Sequence, residues 1–273
     1  MINQTSSLEL SHFPVMLNEV LKIASPSDGG SFIDCTFGGG SYSKEILKFS
    51  KTIVRAIDRD KNVVTIAEQI KKKFPKRFEF FQKKFSQLDT VISENVDVVI
   101  FDLGLSSIQL DNLSRGFSFN SDNQLNMTMG LNETSALEAI NNLSEIDLKY
   151  VIKILGDEKE AFKIAKNIVK YRNVKKIINT SDLVNIIKRS KKKIYSKKIN
   201  PCTKTFQALR IFVNKEITEL INGIISATKK LKPGGKILVV SFHLTEDRIV
   251  KYFFSNVSKN KSKASRYLPD TKI

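Results

Sequence analysis

Three consecutive glycines, Gly38-Gly39-Gly40, follow the apolar segment Ser31–Asp34, and an acid, Asp58, closes the next apolar segment 24 positions after Asp34. Glycine has no Cβ and tolerates positive φ, so a ligand can lie against bare backbone where a helix is expected to start, near Tyr42. A carboxylate at the tip of the second strand accepts two hydroxyl hydrogen bonds, which suits a ribose diol. Loop and acid together read as an adenosine-type cofactor site, without saying which cofactor. Asp102 ends a further apolar run, Val96–Asp102. It is either a cofactor ligand or the acceptor that polarises a substrate amine. His243 follows the last apolar run and either contacts a nucleotide, acts as a base or makes a structural hydrogen bond. Glu246, Asp247 and Arg248 beside it read as a local charge network or helix start. The chain has two cysteines, Cys35 and Cys202, and two histidines, His12 and His243. None of them stands at metal-ligand spacing, so no metal is expected.

The elements that must position these groups are legible as apolar patterns. Strands are expected at Ser31–Asp34, Thr52–Asp58, Phe78–Gln82, Val96–Asp102 and Lys236–Phe242. Helices at Pro14–Ala24, Tyr42–Phe49 and Lys61–Phe74 alternate with them, and Pro233-Gly234-Gly235 is expected to end a long helix over Thr205–Leu231. Near-continuous apolar strands alternating with helices describe an α/β fold with a doubly wound parallel sheet, whose ligands lie beyond the carboxyl ends of the strands. Helical patterns at Ser144–Leu155, Asp157–Arg172 and Thr180–Arg189, the last capped by Thr180 or Ser181, interrupt the alternation. Residues 1–110 and 211–273 are therefore assigned to the core, and 111–210 to an inserted helical, substrate-recognition domain.

Lys+Arg exceed Asp+Glu by 17, and the isoelectric point is about 9.7. That excess favours a polyanionic partner, nucleic acid first, although a lysine-rich proteome would also produce it. Apolar runs fall short of the ~20 residues of a membrane span, and no signal peptide is recognisable, so a cytoplasmic protein is expected. Arg115, Phe117 and Phe119 join one cation to two aromatics. They suit an unpaired base and its phosphate, or are core phenylalanines under a loop. Lys192 and Lys193, in a basic run around Tyr195, read as a phosphate strip or a solvated loop. Ser106 and Ser107 position a base or cap the backbone, and Asn126 offers an amide acceptor. Gln207 and Arg210 lie three apart on one side of the long helix.

Eight ordered blocks carry a resemblance: HFPVMLNEV (His12–Val20), DCTFGGGSYS (Asp34–Ser43), AIDRD (Ala56–Asp60), DLGLSSIQLD (Asp102–Asp111), RGFSF (Arg115–Phe119), PCTKTFQALRIFVNKE (Pro201–Glu216), LKPGGK (Leu231–Lys236) and SFHLTEDRIVK (Ser241–Lys251). In these the chain resembles the RsmH (MraW) family of S-adenosylmethionine-dependent methyltransferases, which act on N4 of a cytosine in the decoding region of small-subunit ribosomal RNA. The resemblance implies a Rossmann-like methyltransferase core with an inserted helical domain. It implies S-adenosyl-L-methionine as cofactor, with Gly38, Gly40, Ser41 and Tyr42 at its methionine part, Asp58 on the ribose, Phe85 near the adenine, and Asp102 and Gln109 completing the pocket. It also favours a site role for Gln207 and Arg210. The implied partner is small-subunit ribosomal RNA or the small ribosomal subunit. Oligomeric state stays open, although methyltransferases of this shape often form homodimers. Alternatives are a methyltransferase on another substrate and a non-catalytic ribosome-assembly factor that keeps the cofactor fold. The chain departs from the family pattern at Ser41-Tyr42, where Gly-His is common. In a block that usually reads Pro-Leu-Asp-Met-Arg-Met, Asn126 and Thr128 replace an Asp and an Arg. A C-terminal basic block is not found, so a shortened member or fragment with weakened RNA affinity is expected.

Overall fold

Five parallel strands form one sheet in the order β3-β2-β1-β4-β5: β1 (Gly30–Asp34), β2 (Thr52–Asp58), β3 (Phe78–Gln82), β4 (Val96–Asp102) and β5 (Leu231–Val240). The computed structural model describes residues 15–120, 122–191 and 200–258; His12, Lys192 and Lys193 lie outside them. The strand order reverses between β1 and β4, the switch point at which open α/β sheets bind ligands. Asp34, Asp58 and Asp102 close the carboxyl ends of β1, β2 and β4.

Alternation along each strand feeds two cores. Phe32, Val98 and Ile100 face one layer, built with α1 (Leu17–Ala24), α2 (Ser41–Leu47) and α3 (Val64–Lys73). Ile33, Val99 and Phe101 face the other, which carries Leu88 of α4 (Leu88–Val91) and Leu220, Ile224 and Ala227 of a long C-terminal helix. Coverage on both faces explains why these strands read as unbroken apolar runs. The sheet is Rossmann-like.

After β4 comes α5 (Ser107–Asp111), then a group of helices with a core of its own. These are α6 (Ala136–Asn142), α7 (Glu145–Gly156), α8 (Ala161–Arg172), α9 (Thr180–Ser190) and α10 (Thr203–Asn214). Leu148, Ile152, Ile164, Ile168, Leu183, Ile187 and Leu209 are fully buried together. The cap of α9 is Asn179, whose Oδ1 accepts from the Asp182 amide at 3.0 Å, rather than Thr180 or Ser181.

The long helix expected over 205–231 is two helices. α10 stops at Asn214, Lys215 turns left-handed (φ 53°), and α11 runs Glu216–Lys230. Asn214 is fully buried. Its Nδ2 donates to Met127 O and Arg210 O (2.8 Å each), and its Oδ1 accepts from Met129 N (2.8 Å) and Asn132 Nδ2 (2.9 Å). Three of these hydrogen bonds hold a neighbouring loop and the fourth closes onto α10 itself; together they outweigh the cost of one left-handed residue. Apolar spacing continues through the break, so periodicity alone could not see it. Nor does Pro233-Gly234-Gly235 end the helix. It lies inside β5, where the register with β4 slips between the pairs Val96↔Leu231 and Val98↔Lys236. α12 (Leu244–Ser258) follows β5.

Candidate active site

The glycine loop is tethered to three strands by short polar contacts. Gly38 N donates to Asp58 Oδ2 at 2.8 Å, tying the loop to β2. Asp102 N donates to Thr36 Oγ1 at 2.7 Å, tying it to β4. Asp34, fully buried, accepts from Ser43 Oγ at 2.7 Å and from Thr36 N at 3.3 Å, pinning the start of α2 to β1. Gly40, the residue before α2, has φ 75°, and a Cβ there would stand 2.8 Å from the Phe37 ring and 2.9 Å from Ile70. A Cβ on Gly39 would meet nothing within 4 Å. Gly40 is thus required by packing, whereas Gly39 leaves room for a ligand against the backbone.

Three acids surround this cradle, and none forms an ion pair among the described residues. Burial pushes Asp34 up to about 6, against the hydrogen bonds it accepts. Burial likewise lifts Asp58 to about 6, with the charges of Asp60 and Asp34 adding to it. Asp102 rises to about 7, through burial and then the charge of Asp34. Asp102 Oδ1 is buried without a hydrogen-bond partner, so little stabilises its charged form. A ligand bringing hydroxyls and positive charge would relieve Asp58 and Asp102, whereas Asp34 is fully buried on its own partners.

Several of the expected contacts also serve the framework. Tyr42 is buried, and its hydroxyl donates to Val15 O at 2.9 Å, leaving the backbone as the part that can face a ligand. Gln109 is buried too. Its Nε2 donates to Asp60 Oδ2 at 3.0 Å and its Oε1 accepts from Ser106 N at 3.2 Å, one half of a capping box with Ser106. Phe85 packs edge-on against Phe101 (5.4 Å between centroids) and over Gly223, where a Cβ would come within 2.6 Å of its ring. Ser41 stands half-buried at the first residue of α2.

Arg115, Phe117 and Phe119 were expected either to grip a base or to fill the core under a loop, and their contacts are those of the second. Phe117 and Phe119 belong to the helical core, Phe119 meeting Phe206 edge-on at 5.8 Å. Arg115 is ion-paired with the buried Asp60, donates to Thr128 O at 2.6 Å and covers the Phe117 ring. Aromatic residues after a loop segment are as useful for burial as for stacking, and here burial wins. Asn126 is likewise engaged: its Oδ1 accepts from Thr128 N at 3.0 Å and from the Thr128 hydroxyl. Gln207 is half-buried on α10. Arg210 grips Glu216 with two contacts of 2.8 Å.

Arg59 and Asp60, directly after Asp58, were not singled out from the sequence. Asp60 holds Gln109 and Arg115. Arg59 donates to Gly130 O, to Asn214 O at 2.8 Å and to Asn132 Oδ1 at 3.2 Å. Asp58, the last residue of β2, and the two residues after it therefore face the glycine loop, the helical region and α5 in succession. A charged Asp-Arg-Asp run at a strand end was the available signal.

His243 lies just past β5 with Glu246 Oε1 3.0 Å from its Nε2, and Glu246 Oε2 accepts from Phe242 N at 3.1 Å. Single ligand-type atoms of Glu216, His243 and Glu246 lie within 4.8 Å of one another. The sequence reading expected no such grouping, because Glu216 is far from the other two along the chain.

The model of the MraW methylase family matches residues 9–271. The chain belongs to this family. Curated relatives agree. The Ribosomal RNA small subunit methyltransferase H of Ehrlichia canis (strain Jake) is 45% identical over 251 residues, covering 90% of this chain and 84% of its own. That of Rickettsia massiliae (strain Mtu5) is 45% identical over 261 residues, covering 95% and 85%. In this MraW-family chain Asn126 and Thr128 meet in a neutral hydrogen bond, so neither side chain is left without a partner.

Proposed function

We propose that this protein is an S-adenosylmethionine-dependent methyltransferase that acts on N4 of a cytosine in the decoding region of small-subunit ribosomal RNA. The observation that carries the proposal is the open backbone cradle at Gly39 ringed by three acids without ion-pair partners. The relatives' names direct the choice of substrate. Gly38–Ser41 would hold the methionine part and Asp58 the ribose hydroxyls. When bound, the cofactor supplies a methyl group already activated on a sulfonium.

The N4 lone pair of cytosine is delocalised into the ring. Asp102, poised near neutrality, accepts a hydrogen bond from the amine, localises that lone pair, and takes up the proton released on methylation. A paired base would have to leave its stack to reach a site at the sheet edge. Lys163, Lys166 and Lys170, exposed along one side of α8, give the helical region a cationic face for RNA phosphates. We assign residues 111–210 to this substrate-recognition role. No helix among the described residues is long and apolar enough to cross a membrane.

The test is incubation with labelled S-adenosylmethionine and small ribosomal subunits from cells lacking the modification, followed by mass-spectrometric mapping. Label on N4 of a single cytosine, lost with Asp58→Ala, is the expected result. Tight cofactor binding with no label on subunits or RNA would overturn the enzyme reading.

A further inference from the structure

We propose that Glu216, His243 and Glu246 form a binding site for one divalent transition-metal ion, with Zn²⁺ the preferred occupant. The donors come from two elements that meet only in the fold. Glu216 opens α11, and His243 and Glu246 bracket the turn from β5 into α12. Their side chains are nearly shut off from solvent: Glu216 and His243 are each 10% exposed and Glu246 is 3% exposed.

The His243–Glu246 contact carries the argument. Nε2 lies 3.0 Å from Glu246 Oε1, yet this buried nitrogen has no hydrogen-bond partner. The carboxylate is thus close but off the ring's N–H direction. Two ligands bound cis at ~2.1 Å from one metal ion are themselves about 3.0 Å apart in octahedral and about 3.4 Å apart in tetrahedral geometry. The observed separation is compatible with cis co-ligands as well as with an ion pair.

Both carboxylates are already oriented by outer contacts, Glu216 by the Arg210 fork and Glu246 by the Phe242 amide, as metal-ligating carboxylates usually are. One imidazole with two carboxylates suits Zn²⁺ or Mn²⁺, with Zn²⁺ the tighter by the usual order of divalent affinities. Three protein ligands leave a position for water or a substrate oxygen.

The test uses the full chain without a histidine tag, stripped with chelator, and does not depend on methyl transfer. Zn²⁺ and Mn²⁺ are titrated by calorimetry and bound metal is counted by mass spectrometry. One equivalent per chain is expected, with a metal-dependent rise in melting temperature. His243→Gln and Glu246→Gln should each weaken binding by more than about tenfold, since loss of an outer partner alone costs ~10–100-fold. Asp247→Asn, an acid one position on that pairs with Lys251, should leave binding unchanged. Circular dichroism separates ligand loss from misfolding. Absence of saturable binding, or equal binding by folded His243→Gln and Glu246→Gln, would overturn the site and leave His243 and Glu246 as an ordinary ion pair.

Discussion

Replacing Asp102 with Asn removes a carboxyl that burial and Asp34 push up to about 7. As acceptor for an amine proton it works only when ionised, so kcat/KM of the free enzyme follows its ionised fraction. That fraction is about one-eleventh at pH 6, half at pH 7 and ten-elevenths at pH 8 for a group titrating near 7. The rate therefore falls about tenfold per unit below pH 6 and levels off above pH 8. A bound cation favours the ionised form, so the acid limb of kcat lies at lower pH than that of kcat/KM. Asp102→Asn keeps the backbone contact to Thr36 but has nothing to titrate. It should abolish the acid limb and lower the plateau by roughly 10²–10⁴-fold. The assay is the initial rate of label transfer to small subunits from about pH 5 to about pH 9, at constant ionic strength because phosphate contacts are salt-dependent. A wild-type profile flat between pH 6 and 8, or an Asn variant that keeps both rate and limb, would refute the role of Asp102.

Paired glycine variants separate packing from binding. Gly40→Ala forces a Cβ against Phe37 and Ile70 at positive φ and should cost about 1–3 kcal/mol in urea unfolding. Gly39→Ala, with open space around its Cβ, should change stability by no more than about 0.5 kcal/mol yet weaken cofactor affinity measured by calorimetry; unchanged affinity would place the ligand elsewhere. Arg115→Ala strands the buried Asp60 and should destabilise by about 3–5 kcal/mol in the same unfolding assay, a loss below 1 kcal/mol counting against the pairing. Asp34 titrates at about 6 when folded, above its ordinary 3.8, so the folded state holds the extra proton between those values. Its stabilising contribution is present below about pH 4 and lost as pH rises through about 6, worth about 3 kcal/mol for two units. Asp34→Asn should flatten that part of the stability–pH curve measured by denaturant midpoint.

Strands β2, β3 and β4 were legible to the residue, because each is a short, largely apolar run that ends at a polar residue. The break at Lys215 was not legible. It depends on Asn214 bonding to Met127 and Met129, more than 80 positions away. RGFSF was ambiguous for a related reason: nothing local distinguishes an aromatic that stacks on a base from one that fills the space beside Phe206.

What the sequence determined by itself is the chemistry that short spacing can carry: a glycine loop before a helix, acids at strand ends, and ordered blocks that mark the family. What only the tertiary structure decided is which polar groups are already spent. Gln109, Arg115 and Asn126 satisfy internal partners, whereas Asp102 Oδ1 and His243 Nε2 are buried without one. Hydrogen bonding and desolvation depend on neighbours brought from distant parts of the chain, and no local pattern specifies them.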